Sequence, residues 1–317
     1  MSISNAWIAN WRRYWQKKGV YDKLIILASM VFLGAVAFYL IIHQVFFTPD
    51  QFYGLAFIFA LVIGQAKSFV WDWTPMLLLI LSYEYLRGLI PSINHHVHYQ
   101  LMFRFDMLLL GRIPAVSLQQ SFYTPGQTHW YDYVGVVLYL MHFIVPLLTA
   151  FVFWLTDKKY FREFVIGIVI LTYLTFLTYL VFPAAPPWLA SQNGLIPHVH
   201  HITITILGHF FHYLAVPNVY GWFGANLTAA VPSLHAAYPL FSAIYIFKKA
   251  PKSWPLLMLY VFGVWLAVMY LGEHYFFDVT LGAIYALGVY ALLQRAKTSK
   301  FVRRKLIGHP AEIFRKT

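Results

Sequence analysis

The chain has no cysteine. Disulfides, thiolate catalysis, zinc–thiolate sites and iron–sulfur clusters are thereby excluded, and the redox compartment cannot be read. Charge is also scarce: Asp, Glu, Lys and Arg make up 11% of the residues, where soluble domains carry about 25%. Acidic residues are the scarcest, 11 in 317. No internal repeat or low-complexity linker is visible. There is no G-x-S-x-G elbow, no phosphate-cradling G-x-x-x-x-G-K and no dinucleotide fingerprint, so no cofactor is expected.

What is present is apolar. Hydrophobic residues are 60% of the chain and aromatics 20%. No globular core could hide that much apolar surface, so lipid must be the solvent, with Trp and Tyr forming belts at the two interfaces. A crossing needs roughly 20 mostly apolar residues. The pattern predicts eight, at about 24–45, 53–71, 74–91, 130–155, 162–182, 230–247, 255–272 and 277–293. The expected fold is therefore an all-α polytopic membrane protein of about eight transmembrane helices. Residues 1–23 read as a cytoplasmic amphipathic segment, 24–293 as one transmembrane catalytic domain and 294–317 as a basic cytoplasmic tail. The apolar run at 24–42 is longer than that of a cleaved leader, and none is expected.

The cations orient this arrangement. Of the 23 Lys and Arg, all but Lys67, Arg87, Arg104 and Arg112 fall on one side of the eight-span scheme. They lie in the N-terminal segment, at 158–162, at 248–252 and in the tail. The positive-inside rule makes that side cytoplasmic. A basic juxtamembrane tail reads as a topology signal touching anionic lipid, and nucleic acid is not an expected partner. Lys67 snorkels from the inner end of its span. Two long connections, 92–129 and 183–229, then lie outside, where each is expected to carry short interfacial helices. The absence of cysteine and of a processed leader favours a bacterial plasma membrane, with the outer side as periplasm or exterior; an organelle lumen stays open. The oligomeric state is not legible.

Ionisable groups collect on the outer side. Arg87 lies three residues after Glu84, on one helix face, and a charge at that depth is usually functional. With Arg104 and Arg112 in the first outer loop, it is a candidate for gripping an anion; a structural pair and ordinary surface charge are the plainer readings. His95, His96 and His98, like His198, His200 and His201, have metal-like spacing, but no carboxylate is near in sequence, and no metal is expected. Val231-Pro232-Ser233-Leu234-His235 opens the sixth span. Proline presets the first turn, and the exposed N–H groups there, with Ser233, make an anion site. His274 and Asp278, four apart between spans seven and eight, face the same way on a helical turn. The carboxylate can then fix one imidazole nitrogen and leave the other free to attack. By spacing alone, these three residues read equally as satisfied polar groups at helix ends.

Pro232-Ser233-Leu234-His235 followed by His274-Tyr275-Phe276-Phe277-Asp278 resembles the second and third motifs of the type-2 phosphatidic acid phosphatase superfamily. The inositol phosphorylceramide synthase branch is the closer resemblance. It is similar at Phe182-Pro183-Ala184-Ala185-Pro186-Pro187-Trp188, at Asp106 through Gly111-Arg112-Ile113-Pro114 and at Tyr139-Leu140-Met141-His142, and the likeness covers roughly 100–293. It implies a six-helix phosphatase-like core with outer interfacial helices, and a two-step phosphoryl transfer. His274 would be the nucleophile forming a phosphohistidine, Asp278 its orienting group and His235 the proton donor to the leaving oxygen. Arg87, Arg104, Arg112 and Ser233 would contact the phosphate. The phosphatases carry a lysine and arginines that this chain lacks: no cation lies in 182–188, and Ala267 and Val268 stand ahead of His274. That difference favours the synthase branch. The expected function is a lipid phosphotransferase moving a head group such as inositol phosphate between a phospholipid donor and a lipid hydroxyl at the outer face. The alternatives are a lipid or polyprenyl phosphate phosphatase, and a transporter or silent lipid-binding protein.

Overall fold

In the computed structural model, the described residues are Val31, 49–210 and 226–298. The amphipathic segment 1–23, the first expected span apart from Val31, residues 211–225 and the tail beyond 298 lie outside them. The described elements are all helical: α1 (Pro49–Val62), α2 (Ala66–Ile93), α3 (Gln100–Leu110), α4 (Pro114–Phe122), α5 (Trp130–Thr156), α6 (Lys158–Val181), α7 (Pro187–Gln192), α8 (Ile202–Phe210), α9 (Leu234–Lys249), α10 (Trp254–Tyr270) and α11 (Phe276–Thr298).

Two compact units meet in sequence at Leu81/Ser82, within α2. In the first, α1 ends in a left-handed glycine cap. Gly64 has φ 74°, its N–H reaches Leu61 O, and Gln65 N reaches Ala60 O. These are the paired bonds of a Schellman motif. The cap moves a boundary: expected spans two and three divide at Ile63–Gln65 rather than at 72–73, leaving a 14-residue α1 and a 28-residue α2. Phe69 stacks on Trp73 (5.3 Å), and Tyr53 Oη bonds Thr74 Oγ1 (2.9 Å).

The second unit is a bundle. Asp157 turns the chain between α5 and α6, capping α6 by accepting from Tyr160 N (3.1 Å). α9 packs on α5, α6, α10 and α11, and most of its residues are buried. Among the described residues, five helices are long and apolar enough to cross a membrane: α2, α5, α6, α11, and α10 with its preceding turn. α9 has only 16 residues, fewer than a full crossing needs.

The basic ends of these helices converge. Lys249 pairs with Asp157 (2.7 Å) and Lys297 with Glu163 (2.5 Å), while Lys248 reaches Gln294 (3.5 Å). The opposite ends of α9 and α11 carry His235 and Asp278. Both long connections do contain short helices, α3 and α4 in one, α7 and α8 in the other. Bridges between His98, Ala184 and Ala229 lace the connections together, with His98 N donating to Pro183 O (2.7 Å) and Ala184 N to Thr228 O (2.7 Å).

Candidate active site

Two helix starts make the site. At α9 the N-cap is Ser233, whose hydroxyl accepts from Ala236 N (3.2 Å), as a capping serine does. Pro232 stands before this cap instead of opening the helix. Its preceding peptide bond is cis, and its carbonyl accepts from Tyr179 Oη (2.8 Å). Ser233 is fully buried, and its N–H is committed to Asp278 O (3.0 Å). The cap thus ties α9 to the first turn of α11. Gly282 permits this closeness: a Cβ there would lie 2.3 Å from Ser233 O.

At α11 two aspartates satisfy three backbone donors that a helix start leaves unpaired. Asp278, in the third helical position, reaches back to Tyr275 N (2.9 Å), the acidic half of a capping box. Asp106, on α3 and buried, accepts from Phe276 N (3.0 Å) and Phe277 N (2.9 Å). Burial pushes the Asp106 carboxyl up to about 7; the two N–H donors oppose this, and Asp278 adds to it. In the sequence Asp106 has no role beyond the resemblance, because its partners are 170 residues away.

The loop before α11 is held on every side. Glu273 N and His274 N both donate to Val268 O (3.0 and 3.2 Å), so one of the positions lacking the phosphatase cation supplies a carbonyl instead. Gly272 has φ 83°, and a Cβ there would meet His200 O at 2.8 Å. Gln119 grips the same place. Its amide donates to His200 O (2.9 Å) and Tyr270 O (2.8 Å) and accepts from His200 N (2.7 Å). His201 pairs with Glu273 (2.9 Å) and stacks on Trp188 (4.5 Å). Burial works against the ionised form of Glu273, yet His201 holds its carboxyl below the usual range. Gln119 and the Glu273–His201 pair have no sequence signal, since each partner lies more than 70 residues away.

His274 and Asp278 do face each other, with Nδ1 3.3 Å from Oδ2. The other nitrogen of His274, Nε2, lies 2.9 Å from His235 Nδ1. A carboxylate only accepts. With Asp278 ionised, His274 carries its proton on Nδ1 and turns a lone pair at Nε2 toward His235, which donates; this tautomer assignment follows from the network. His274 is 3% exposed and Asp278 0%, while His235 is only partly buried. The arrangement is a buried, oriented imidazole lone pair beside an accessible proton carrier.

The remaining candidates differ. Arg87 bonds Glu84 (2.7 Å), as the i,i+3 spacing implies, and both are partly buried. Its charge is within electrostatic reach of His142 and His235. Arg104 and Arg112 are exposed, and no hydrogen bond or ion pair joins either to the histidines among the described residues. His142, a mid-span polar residue in the sequence, packs its ring 3.9 Å from that of His235, and Tyr139 stacks on His235 at 4.4 Å. Among the described residues no group of three or more His, Asp or Glu is arranged to hold a metal.

A family model described as the PAP2 superfamily matches residues 101–292, the stretch that carried the resemblance. The phosphoinositol dihydroceramide synthase of Bacteroides thetaiotaomicron is 32% identical over 169 residues, 50% of this chain and 55% of that protein. The inositol phosphorylceramide synthase of Candida albicans is 29% identical over 174 residues, 52% of this chain and 37% of that protein. The catalytic subunit of the Saccharomyces cerevisiae inositol phosphorylceramide synthase is 33% identical over 122 residues, 37% of this chain and 29% of that protein. The match thus spans about half of the bacterial relative and less of the two fungal ones. No solved structure matches.

Proposed function

The chain belongs to the PAP2 superfamily, and from that premise we propose that it is a membrane lipid phosphotransferase. It moves a phosphate-containing head group of the phosphoinositol kind from a phospholipid donor to a lipid hydroxyl, through a phosphohistidine. The observation that carries this reading is the chain of contacts Asp278–His274–His235, at 3.3 and 2.9 Å.

In the first step His274 Nε2 attacks phosphorus. The N–P bond forms, the P–O bond to the donor's glycerol oxygen breaks, and His235 gives that oxygen its proton. Asp278, accepting from Nδ1, stabilises the imidazolium. In the second step the acceptor hydroxyl loses its proton to His235, its oxygen bonds phosphorus, and the N–P bond breaks. Such proton transfer contributes about 10²–10⁴ in rate. Negative charge on the phosphoryl oxygens needs fixed cations or donors. Ala267 and Val268 supply no side-chain cation, and Arg87 is the candidate whose charge reaches the histidines; Arg104 and Arg112 would act on the head group further out.

Transfer rather than hydrolysis is favoured by the names of the relatives, which are phosphoinositol ceramide-type synthases. An outward-facing site is favoured by the cation-rich opposite ends of α9 and α11. The test uses purified protein, head-group-labelled phosphatidylinositol and ceramide. Expected are acid-labile label on the wild type, none on His274→Ala, and labelled phosphoinositol ceramide as product. Free inositol phosphate as the sole product would replace transfer by hydrolysis. Full turnover by His274→Ala would refute the nucleophile.

A further inference from the structure

His235 must present its proton-bearing nitrogen to a leaving oxygen, yet nothing on its own helix fixes its ring. It lies in the first turn of α9, where the Ser233 cap sets the backbone, and its hydrogen bond to His274 Nε2 (2.9 Å) is the one that substrate must displace. Two rings from α5 hold the side chain. Tyr139 stacks face to face on His235, with centroids 4.4 Å apart and planes 26° apart. His142 closes from another direction, with centroids 3.9 Å apart and planes 54° apart. Tyr139 and His142 are three residues apart and share a helix face. They are also joined to each other, because His142 Nδ1 donates to the Tyr139 carbonyl. Tyr139 is 9% exposed and His142 1%.

A buried histidine in a transmembrane helix is expensive to keep. An apolar ring would fill the same space without desolvating two nitrogens. What the imidazole adds is a ring anchored to the backbone of α5 and pressed against His235. We infer that Tyr139 and His142 form a positioning clamp, which holds the His235 ring in the plane and direction that protonate the leaving oxygen. The inference rests on the acid–base role assigned to His235 above. Neither clamp residue touches the reacting atoms; both act through His235.

A clamp of this kind has a signature that ordinary core packing lacks. A glycerol alkoxide must be protonated as it leaves, whereas 4-nitrophenolate need not be. Loss of His235 alignment therefore slows the first and spares the second. The experiment compares phosphatidylinositol with the 4-nitrophenyl ester of the same phosphoinositol head group, in mixed micelles. Tyr139→Ala and His142→Ala are expected to lose about tenfold or more of kcat on the phospholipid, with KM nearly unchanged, and less than about threefold on the aryl ester. Tyr139→Phe, which keeps the stacked ring, should stay within about twofold of wild type on both. Tyr139→Leu and His142→Asn, which refill the volume, replace any alanine variant that is not monodisperse in detergent.

His235→Ala is the internal reference. If it shows the leaving-group bias and the clamp variants do not, the clamp is overturned and the acid assignment stands. If His235→Ala shows no bias, the acid assignment fails and the clamp falls with it. Equal losses on the two substrates by the Tyr139 and His142 variants would reduce both residues to packing.

Discussion

His235 Nδ1 and His274 Nε2 are 2.9 Å apart, so the acid and the nucleophile of the proposed reaction hydrogen-bond each other directly. In-line displacement needs phosphorus on Nε2 and the leaving oxygen beyond it, within reach of His235. That sequence of bonds spans about 5 Å or more. The two rings must part when substrate enters, and the bond between them must break.

Orthovanadate, which mimics a five-coordinate phosphorus, should therefore inhibit by wedging the pair apart. A structure with vanadate bound is expected to show vanadium on His274 Nε2 and the His235–His274 separation increased beyond 2.9 Å. His274→Ala protein should bind vanadate about 100-fold more weakly or worse, as expected for a transition-state analogue. Binding that leaves the histidine pair intact, or that survives the substitution, would count against direct attack by His274.

Much of this arrangement can be read in the chain and some cannot, for physical reasons. α5, α6, α10 and α11 follow from long apolar runs; His274 and Asp278 do meet at 3.3 Å, although His274 stands in the loop before α11 and not on a helical turn. The Arg87–Glu84 pair is equally local. The α1–α2 boundary escapes hydropathy because a single left-handed Gly64 ends α1 inside an apolar run. Asp106 stands out only through a motif, since its partners Phe276 and Phe277 belong to a helix that sequence cannot bring alongside α3. His142, like Asp106, stands out only through a motif, until α9 sets His235 against it.

Asp106 is the cap that holds α11 in place, and its removal should show as lost stability with a pH signature. Asp106→Ala removes the acceptor of two partly buried N–H groups, a loss of about 1 kcal/mol each; Asp106→Asn, with one acceptor oxygen, should lose less. The wild-type carboxyl is raised to about 7 by burial, so between its ordinary value and 7 the folded protein holds a proton that the unfolded chain releases. Stability from this group is present at low pH and declines as pH rises through that window. Thermal midpoints in detergent from pH 4 to 8 should therefore fall more steeply for the wild type than for Asp106→Asn. Parallel curves would remove the carboxyl from the account.

The Glu273–His201 pair should couple the connection at 183–229 to the loop that carries His274. The side chains are 9% and 11% exposed, and removing one partner of a buried pair costs about 3–5 kcal/mol. A double-mutant cycle of His201→Ala and Glu273→Gln should give a coupling energy of about 0.5–3 kcal/mol. The sign with pH is opposite to that of Asp106. His201 holds the Glu273 carboxyl low, so its stabilisation is present at neutral pH and is lost as pH falls through the depressed value. Wild type and His201→Ala should converge in stability as the medium becomes acid. A coupling near zero, or a difference that persists in acid, would make the contact incidental.

Gly282 gives the sharpest test of whether the distance between α9 and α11 sets activity. In an exposed helix, replacing glycine by alanine stabilises by about 1 kcal/mol. At Gly282 the new Cβ would lie 2.3 Å from Ser233 O and 3.3 Å from Ala236 Cβ. That carbonyl belongs to a backbone already fixed by the Ser233 N–H bond to Asp278 O, so it cannot turn aside, and overpacking of this kind costs about 1–3 kcal/mol. α11 must shift away from the first turn of α9, carrying Asp278 and His274 from Ser233 and His235. Gly282→Ala is expected to lower the thermal midpoint and reduce kcat about tenfold or more, since small misplacements at a reacting centre are costly. Gly288 lies on the same helix, and a Cβ added there would meet nothing within 4 Å. Gly288→Ala should leave activity unchanged and raise stability slightly. If the two variants behaved alike, the close approach of Gly282 to Ser233 would have no part in holding His235 against His274.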